Sequence, residues 1–231
     1  MVIKNSECDL SDALDPISAI KGYIQQPVFK NFVKVLTEED EMKIMALRSL
    51  IQRVVMSPCE GRNYQQCFWL WGSPGTSKST WAEIAKMFAQ GSVMELSKNQ
   101  NQFTAQSLKN KKLLLISDVE RIPKDMIESL RTILGRDQLY YEVKHENVYE
   151  FIEPFCQVLI ISNKSPDQFP LIWERSELRE KITPLKFSYP IPQKLMISNL
   201  KDNLDKLAIA FFLWAMFTPR FFLAQQTRGR L

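Results

Sequence analysis

The sequence has no C-x-x-C pair, no apolar run long enough to cross a bilayer, no internal repeat, no low-complexity segment and a single histidine. Each absence closes off a class of function. Cys8, Cys59, Cys67 and Cys156 are scattered, so neither a zinc site nor a disulfide framework is expected, and the thiols read as reduced. Met1 to Asp9 carries acid and lacks a continuous apolar stretch, which excludes a secretory signal and points to an intracellular or intra-organellar site. The longest apolar run, Leu207 to Phe217, falls short of the roughly 18 residues a membrane span needs and reads as a buried helix.

What is present suffices for one full-sized core with a smaller appendage: 231 residues, 45% of them hydrophobic, with a net charge of +4 that permits nucleic-acid binding without requiring it. The most informative stretch is Phe68-Trp69-Leu70-Trp71-Gly72-Ser73-Pro74-Gly75-Thr76-Ser77-Lys78-Ser79-Thr80. An apolar run breaks into a glycine-containing loop that ends in Lys-Ser-Thr, and a helix-compatible segment, Trp81 to Phe88, follows. A buried strand would deliver Gly72, the loop from Ser73 to Thr80 would wrap phosphate oxygens with its backbone N–H groups, Pro74 having none, and the helix from about Lys78 would aim its positive end at the same anion. Lys78 would reach the β- and γ-phosphates and the Ser79 hydroxyl would ligate magnesium, so ATP with Mg²⁺ is the expected ligand pair. Gly72 and Gly75 leave room for close backbone approach. The phosphate-loop pattern has a second glycine where this chain has Ser77. Serine is compatible there if residue 77 is already helical with its side chain turned away from the phosphates.

Upstream, Phe29, Phe32, Val33 and Leu36, then Ile44, Leu47, Leu50, Ile51 and Val54, follow a helical period, and Thr37 before Glu38-Glu39-Asp40-Glu41 reads as a helix N-cap with acids in the first turn. The sequence thus divides into a helical amino-terminal unit (1–66), a nucleotide core (67–190) and a carboxy-terminal helical segment with a basic tail (191–231). Pro58 to Gln66 is the punctuated loop at the first boundary.

Within the core, Val93 to Leu96 is a short strand. Leu113-Leu114-Leu115-Ile116 is bounded by charge, as a parallel strand covered on both faces would be, and it ends in Ser117-Asp118-Val119-Glu120. Carboxylates there would face the phosphates across the sheet edge, with Asp118 near magnesium and Glu120 activating water; the bland alternative is a solvated strand end. Met126 to Leu134 reads as a helix ended by Gly135. Leu139 to Phe151 has two β-prone runs around a polar tip, Lys144-His145-Glu146-Asn147, a hairpin signal without an Asn-Gly turn. Val158 to Ser162 is a further buried strand, and Asn163 after it either holds the attacking water or the γ-phosphate, or merely starts a turn before Pro166. Leu185 to Phe187 is a short strand, and Asn199 to Phe217 a helical pair or one bent helix.

The ordered set of phosphate loop, acidic strand, Lys-His hairpin, strand ending in Asn, then Arg resembles superfamily 3 helicases, the AAA+ replication ATPases of viruses, phages and plasmids. Leu134-Gly135-Arg136-Asp137 through Lys144-His145 to Ile161-Ser162-Asn163 resembles the papillomavirus replicative helicase, and the run into Leu70-Trp71-Gly72 resembles the poxvirus and phage primase-helicase branch. The resemblance covers about residues 25–190. It implies an AAA+-type P-loop core with a mainly parallel sheet, Lys144 and His145 as contacts to single-stranded DNA, Asn163 as a sensor of the γ-phosphate, and a ring, commonly a hexamer. It also implies an arginine that reaches the neighbouring subunit's γ-phosphate, for which Arg179 matches better than Arg175, and a primase or origin-binding function supplied by another chain. The alternatives are a degenerate AAA+ subunit that binds nucleotide or DNA without turnover, suggested by Ser77 and the irregular acidic motif, and a non-helicase AAA+ ATPase.

Overall fold

Apolar runs that alternate their side chains between two covered faces become central strands of a parallel sheet. In the computed structural model, which describes residues 22, 24–57, 64–96, 105–143, 148–190 and 200–217, five strands take this form. They are β1 (Cys67–Gly72), β2 (Val93–Leu96), β3 (Leu113–Ile116), β6 (Gln157–Ser162) and β7 (Ile182–Phe187), in the order β2-β3-β6-β1-β7, and every adjacent pair is parallel. A separate antiparallel ribbon joins β4 (Leu139–Val143) to β5 (Val148–Ile152). The strand over Leu113 to Ile116 and that over Val158 to Ile161 are therefore where the sequence puts them. The third begins earlier than Leu185, because Ile182 and Thr183 already pair with Cys67 and Phe68.

Period-two alternation sorts the core into two layers. Phe68, Leu70, Leu113, Leu115, Leu159, Leu185 and Phe187 pack against α1 (Pro27–Thr37), α2 (Glu41–Val55), α3 (Lys78–Ala89) and α7 (Leu200–Met216). Cys67, Trp69, Leu114, Ile116, Val158, Ile160 and Ile182 face the opposite way, onto α4 (Lys124–Gly135), α5 (Pro170–Trp173) and α6 (Ser176–Arg179). The amino-terminal helices thus share one apolar cluster with the phosphate-loop helix, where each fully buried aliphatic or aromatic side chain contributes about 1.5–3 kcal/mol. Asn199 to Phe217 resolves into the single helix α7, and no helix among the described residues is long and apolar enough to cross a membrane. Burial pushes the Cys156 thiol up to about 12 and the Cys67 thiol upward as well, so both are inert protonated core residues.

One helix boundary differs from the sequence expectation. Thr37 does not cap α2; it closes α1, with its hydroxyl donating to the Val33 carbonyl at 2.8 Å. The cap is Asp40, whose carboxylate accepts from the amides of Met42 (2.8 Å) and Lys43 (3.3 Å). Glu38 and Glu39 are instead a two-residue left-handed turn, φ 54° and 57°, a geometry a run of acids does not announce. The end of α4 falls at Gly135, as the sequence has it, and the left-handed residue after it is Arg136, φ 68°.

That left-handed turn carries a buried charge clasp. One Glu38 oxygen accepts the Lys43 ammonium, and the other accepts the amides of Ser188 (2.9 Å) and Tyr189 (2.8 Å), just beyond β7. Both side chains are nearly inaccessible, 7% and 6% exposed, and the Lys43 ammonium also lies 4.8 Å from the Phe187 ring centroid. Removing one partner of such a pair leaves a buried charge uncompensated. Glu38→Ala is therefore expected to lower stability by about 3–5 kcal/mol in urea unfolding, and Lys43→Met added to it should restore a large part. A loss under about 1 kcal/mol for Glu38→Ala would mean that the clasp is solvated and structurally idle.

Candidate nucleotide site

Because the five strands are parallel, their carboxyl ends share one edge, and in open α/β sheets ligands bind outside that edge. Four sequence-predicted elements meet there: the loop after β1, the acidic turn after β3, Asn163 after β6 and the end of β7.

The loop leaves β1 through Gly72, with φ 136°. A Cβ on Gly72 would fall 1.9 Å from the Phe187 carbonyl oxygen, so glycine is required by the packing of β1 on β7 as well as by backbone geometry. Gly75, φ 75°, meets nothing within 4 Å; its demand is purely conformational. The Lys78 ammonium donates to the carbonyls of Gly72 (2.8 Å) and Ser73 (2.6 Å) and to the Thr76 hydroxyl (3.0 Å), while that hydroxyl donates to the Ser73 carbonyl at 3.0 Å. Desolvation lowers the Lys78 pKa, and the charge of Glu38 opposes the shift. Pro74 and Ser79 are exposed, whereas Thr76, Ser77, Lys78 and Thr80 are buried.

Ser77 explains how serine serves in place of glycine. Its backbone, φ −75° and ψ 7°, is right-handed, and its hydroxyl points away from the loop to donate to the Leu36 carbonyl at 2.9 Å. Trp81 Nε1 donates to the same carbonyl at 2.9 Å. The Lys34 and Thr37 carbonyls at the end of α1 accept the amides of Glu38, Glu39 and Asp40, and the first turn of α3 supplies the donors to Leu36. No side chain caps the amino terminus of α3, and its first amides face the loop.

Asp118 is exposed with φ 55°, a left-handed backbone that aspartate tolerates better than most residues. Glu120 is also exposed. Their turn is tied to β6 twice: the Val119 amide donates to the Ile161 carbonyl (3.2 Å), and the Ser162 hydroxyl donates to the Val119 carbonyl (2.8 Å). The same Ser162 oxygen accepts the Lys164 amide at 3.0 Å, and the Lys164 carbonyl accepts Trp69 Nε1 at 3.1 Å, which fixes the turn that carries Asn163. Ser162 thus locks the acidic turn to the Asn163 turn. It and Glu38 are the site residues that sequence reasoning left without a role; the strand-terminal Ser-Asn pair was the available signal for the first.

Ser79 and Asp118 offer a hydroxyl and a carboxylate, hard oxygen donors suited to magnesium. Among the described residues no cluster of three or more His, Cys, Asp or Glu could hold a metal alone, and magnesium that shares its shell with phosphates needs only one or two protein ligands. Of the two candidate arginines, Arg175 donates to Glu128 at 2.8 Å and holds that carboxyl below its usual range. Arg179, at the end of α6, is exposed and has no side-chain partner among the described residues. Lys144 and His145 lie outside the described residues; the ribbon that carries them is in register from Leu139 opposite Ile152 to Val143 opposite Val148.

Residues 70–179 match a family described as a family of unknown function (DUF5906). Replication protein E1 of Human papillomavirus 66 is 31% identical over 134 residues, which is 58% of this chain and 20% of that protein. Among solved structures, the A-form apo structure of the NrS-1 C-terminal region superposes with a TM-score of 0.59 at 15% identity, covering 87% of this chain and 47% of the other. A second A-form apo structure of that region gives 0.58 at 14% identity, covering 87% and 46%. The chain therefore spans about a fifth of the papillomavirus protein and under half of the NrS-1 region.

The outward turn of Ser77 has a measurable consequence. Ser77→Ala should cost about 1 kcal/mol in thermal unfolding, the worth of one buried hydrogen bond, and leave the affinity for a fluorescent ATP analogue within about twofold, since that side chain points away from the phosphates. A tenfold loss of affinity with unchanged stability would place the hydroxyl at the ligand instead.

Proposed function

We propose, from a chain that resembles superfamily 3 viral helicases in sequence and has the fold of the NrS-1 C-terminal region, that it is an ATP-dependent DNA helicase motor of a viral, phage, plasmid or organellar replicon. The observation that carries this reading is the convergence at one sheet edge of the Gly72–Thr80 loop, Asp118, Glu120 and Asn163, joined through Ser162. ATP would bind the loop backbone through its phosphates, with Lys78 turning from the loop carbonyls to the β- and γ-phosphates. Ser79 and Asp118 would hold magnesium, which supplies charge neutralisation at the phosphates. Glu120 would accept the proton of the attacking water and Asn163 would hold that water in line. Arg179, unpartnered and exposed, suits a role in trans, where a guanidinium stabilises charge that develops on a neighbouring subunit's γ-phosphate. That role implies a homo-oligomeric ring, most simply a hexamer. The β4–β5 ribbon would then present Lys144 and His145 to single-stranded DNA, with a primase or origin-binding activity provided by another protein inside the host cell.

Two measurements test this. Wild-type protein is expected to hydrolyse ATP faster in the presence of single-stranded DNA, and Lys78→Ala to abolish turnover, because Lys78 is the lysine whose ammonium sits within the loop itself; a Lys78→Ala variant with undiminished turnover rejects the site. Arg179→Ala should bind nucleotide normally yet lose turnover by about 10³-fold or more, and rings mixed from Arg179→Ala and Lys78→Ala subunits should regain part of it. Assembled mixed rings with no recovery at any ratio would remove Arg179 from the shared site.

A further inference from the structure

On the edge of the sheet opposite the phosphate loop, the turn before β3 and the root of the hairpin enclose a cavity of about 320 Å³. Its walls are Leu108, Phe155 and Ile152 on the apolar side and Lys109, Lys111 and Lys112 on the other, with Asn110 and Glu153 completing it. The lysine backbone is rigidly placed: Asn110 takes a left-handed φ of 61°, the Lys111 amide donates to the Leu108 carbonyl (3.1 Å), and the Lys112 amide donates to the Ser92 carbonyl (2.8 Å). The Lys112 carbonyl in turn accepts the Gln157 amide at 2.9 Å, which fixes the lysine pair to the first residue of β6.

The charges do not balance. Lys109 is neutralised by Glu150 at 3.2 Å, and Glu153, which accepts Gln138 Nε2 at 3.4 Å, is the one carboxylate of the lining set against the two remaining lysines. Lys111 and Lys112 are half-buried against the apolar wall, and among the described residues neither has a carboxylate within 4.0 Å. Two lysines on an anchored backbone, neither ion-paired among the described residues, leave this concave site with an excess of positive charge that fits an anion with repeated charges. The cavity lies at the root of the β4–β5 ribbon, beside Ile152 at the end of β5.

We infer that this cavity binds the phosphodiester backbone of single-stranded DNA, with Lys111 and Lys112 as its phosphate contacts, as a second grip apart from the hairpin tip. The inference rests on the DNA-motor reading and extends it from a tip contact to a path along the ribbon. Phosphate contacts of this kind add affinity without reading sequence, and each one released with its counterion steepens the dependence of affinity on salt.

The test measures binding of fluorescent oligo(dT) to the full chain across a sodium chloride series, for wild type, Lys111→Ala/Lys112→Ala and Lys144→Ala/His145→Ala, with thermal unfolding as the check on folding. If the alanine pair fails to fold, Lys111→Gln/Lys112→Gln replaces it. The cavity variant is expected to weaken binding by about tenfold at low salt and to flatten the log-log salt slope by about 1.4, two contacts at roughly 0.7 each. Wild-type binding with an unchanged slope in the folded cavity variant overturns the site while leaving the motor reading intact. Wild type that binds no oligo(dT), with or without nucleotide, overturns the motor reading and this inference together. Inorganic phosphate that binds wild type but not the cavity variant, while oligo(dT) binds both with the same affinity and salt slope, would assign the cavity to a free anion and overturn the DNA occupant.

Discussion

The Leu36 carbonyl is the contact on which the arrangement of the nucleotide site depends. A buried helix end must find donors for its last carbonyls, and α1 finds two of them, Ser77 Oγ and Trp81 Nε1, in the first turn of the phosphate-loop helix. One oxygen thereby fixes the position of α3 relative to the amino-terminal helices and turns residue 77 away from the ligand side. Trp81 then stands edge-on to Phe187 at 5.5 Å, and the Phe187 carbonyl leaves room only for glycine at the head of the loop. Loop conformation, helix placement and strand packing are in this sense one constraint expressed three times.

The Glu38 clasp adds the electrostatic half of that constraint. A carboxylate in the α1–α2 turn compensates a buried lysine, receives the backbone that leaves β7 and raises the pKa of Lys78 against the pull of desolvation. A lysine that must leave loop carbonyls for phosphate oxygens exchanges one set of acceptors for a more highly charged one. The nearby carboxylate helps to keep it protonated while it does so.

Much of this was legible in the sequence because strands buried on both faces write themselves as unbroken apolar runs. Phe68 to Trp71, Leu113 to Ile116 and Val158 to Ile161 became strands, and the phosphate loop fell between the first of them and a helix, as the glycines and Lys-Ser-Thr require. What escaped were positions set by tertiary contact. Asp40 rather than Thr37 caps α2 because Glu38 and Glu39 are held left-handed by the clasp, and nothing in a run of acids distinguishes a capping residue from a turn. The end of α4 at Gly135 was legible, but the left-handed turn at Arg136 was not: its amide and that of Asp137 bond back to Ile133 and Thr132. The role of Ser162 needed the Val119 carbonyl, 43 positions away, to come within 2.8 Å.

Strand β6 has neighbours on both sides, β3 and β1, and is the middle strand of the sheet. Its first residue comes five positions after the end of β5 and its last precedes Asn163, so its six residues, about 20 Å of extended backbone, run from the ribbon's side of the sheet to the nucleotide edge. Flanked on each edge by a full ladder and on each face by packed side chains, such a strand behaves as a push-rod: it is far stiffer along its length than the turns at its ends. A displacement delivered at one end arrives at the other with little loss, whereas the ribbon, outside the five-stranded sheet and tied to the turn before β3 through the exposed Lys109–Glu150 pair, is the more compliant end.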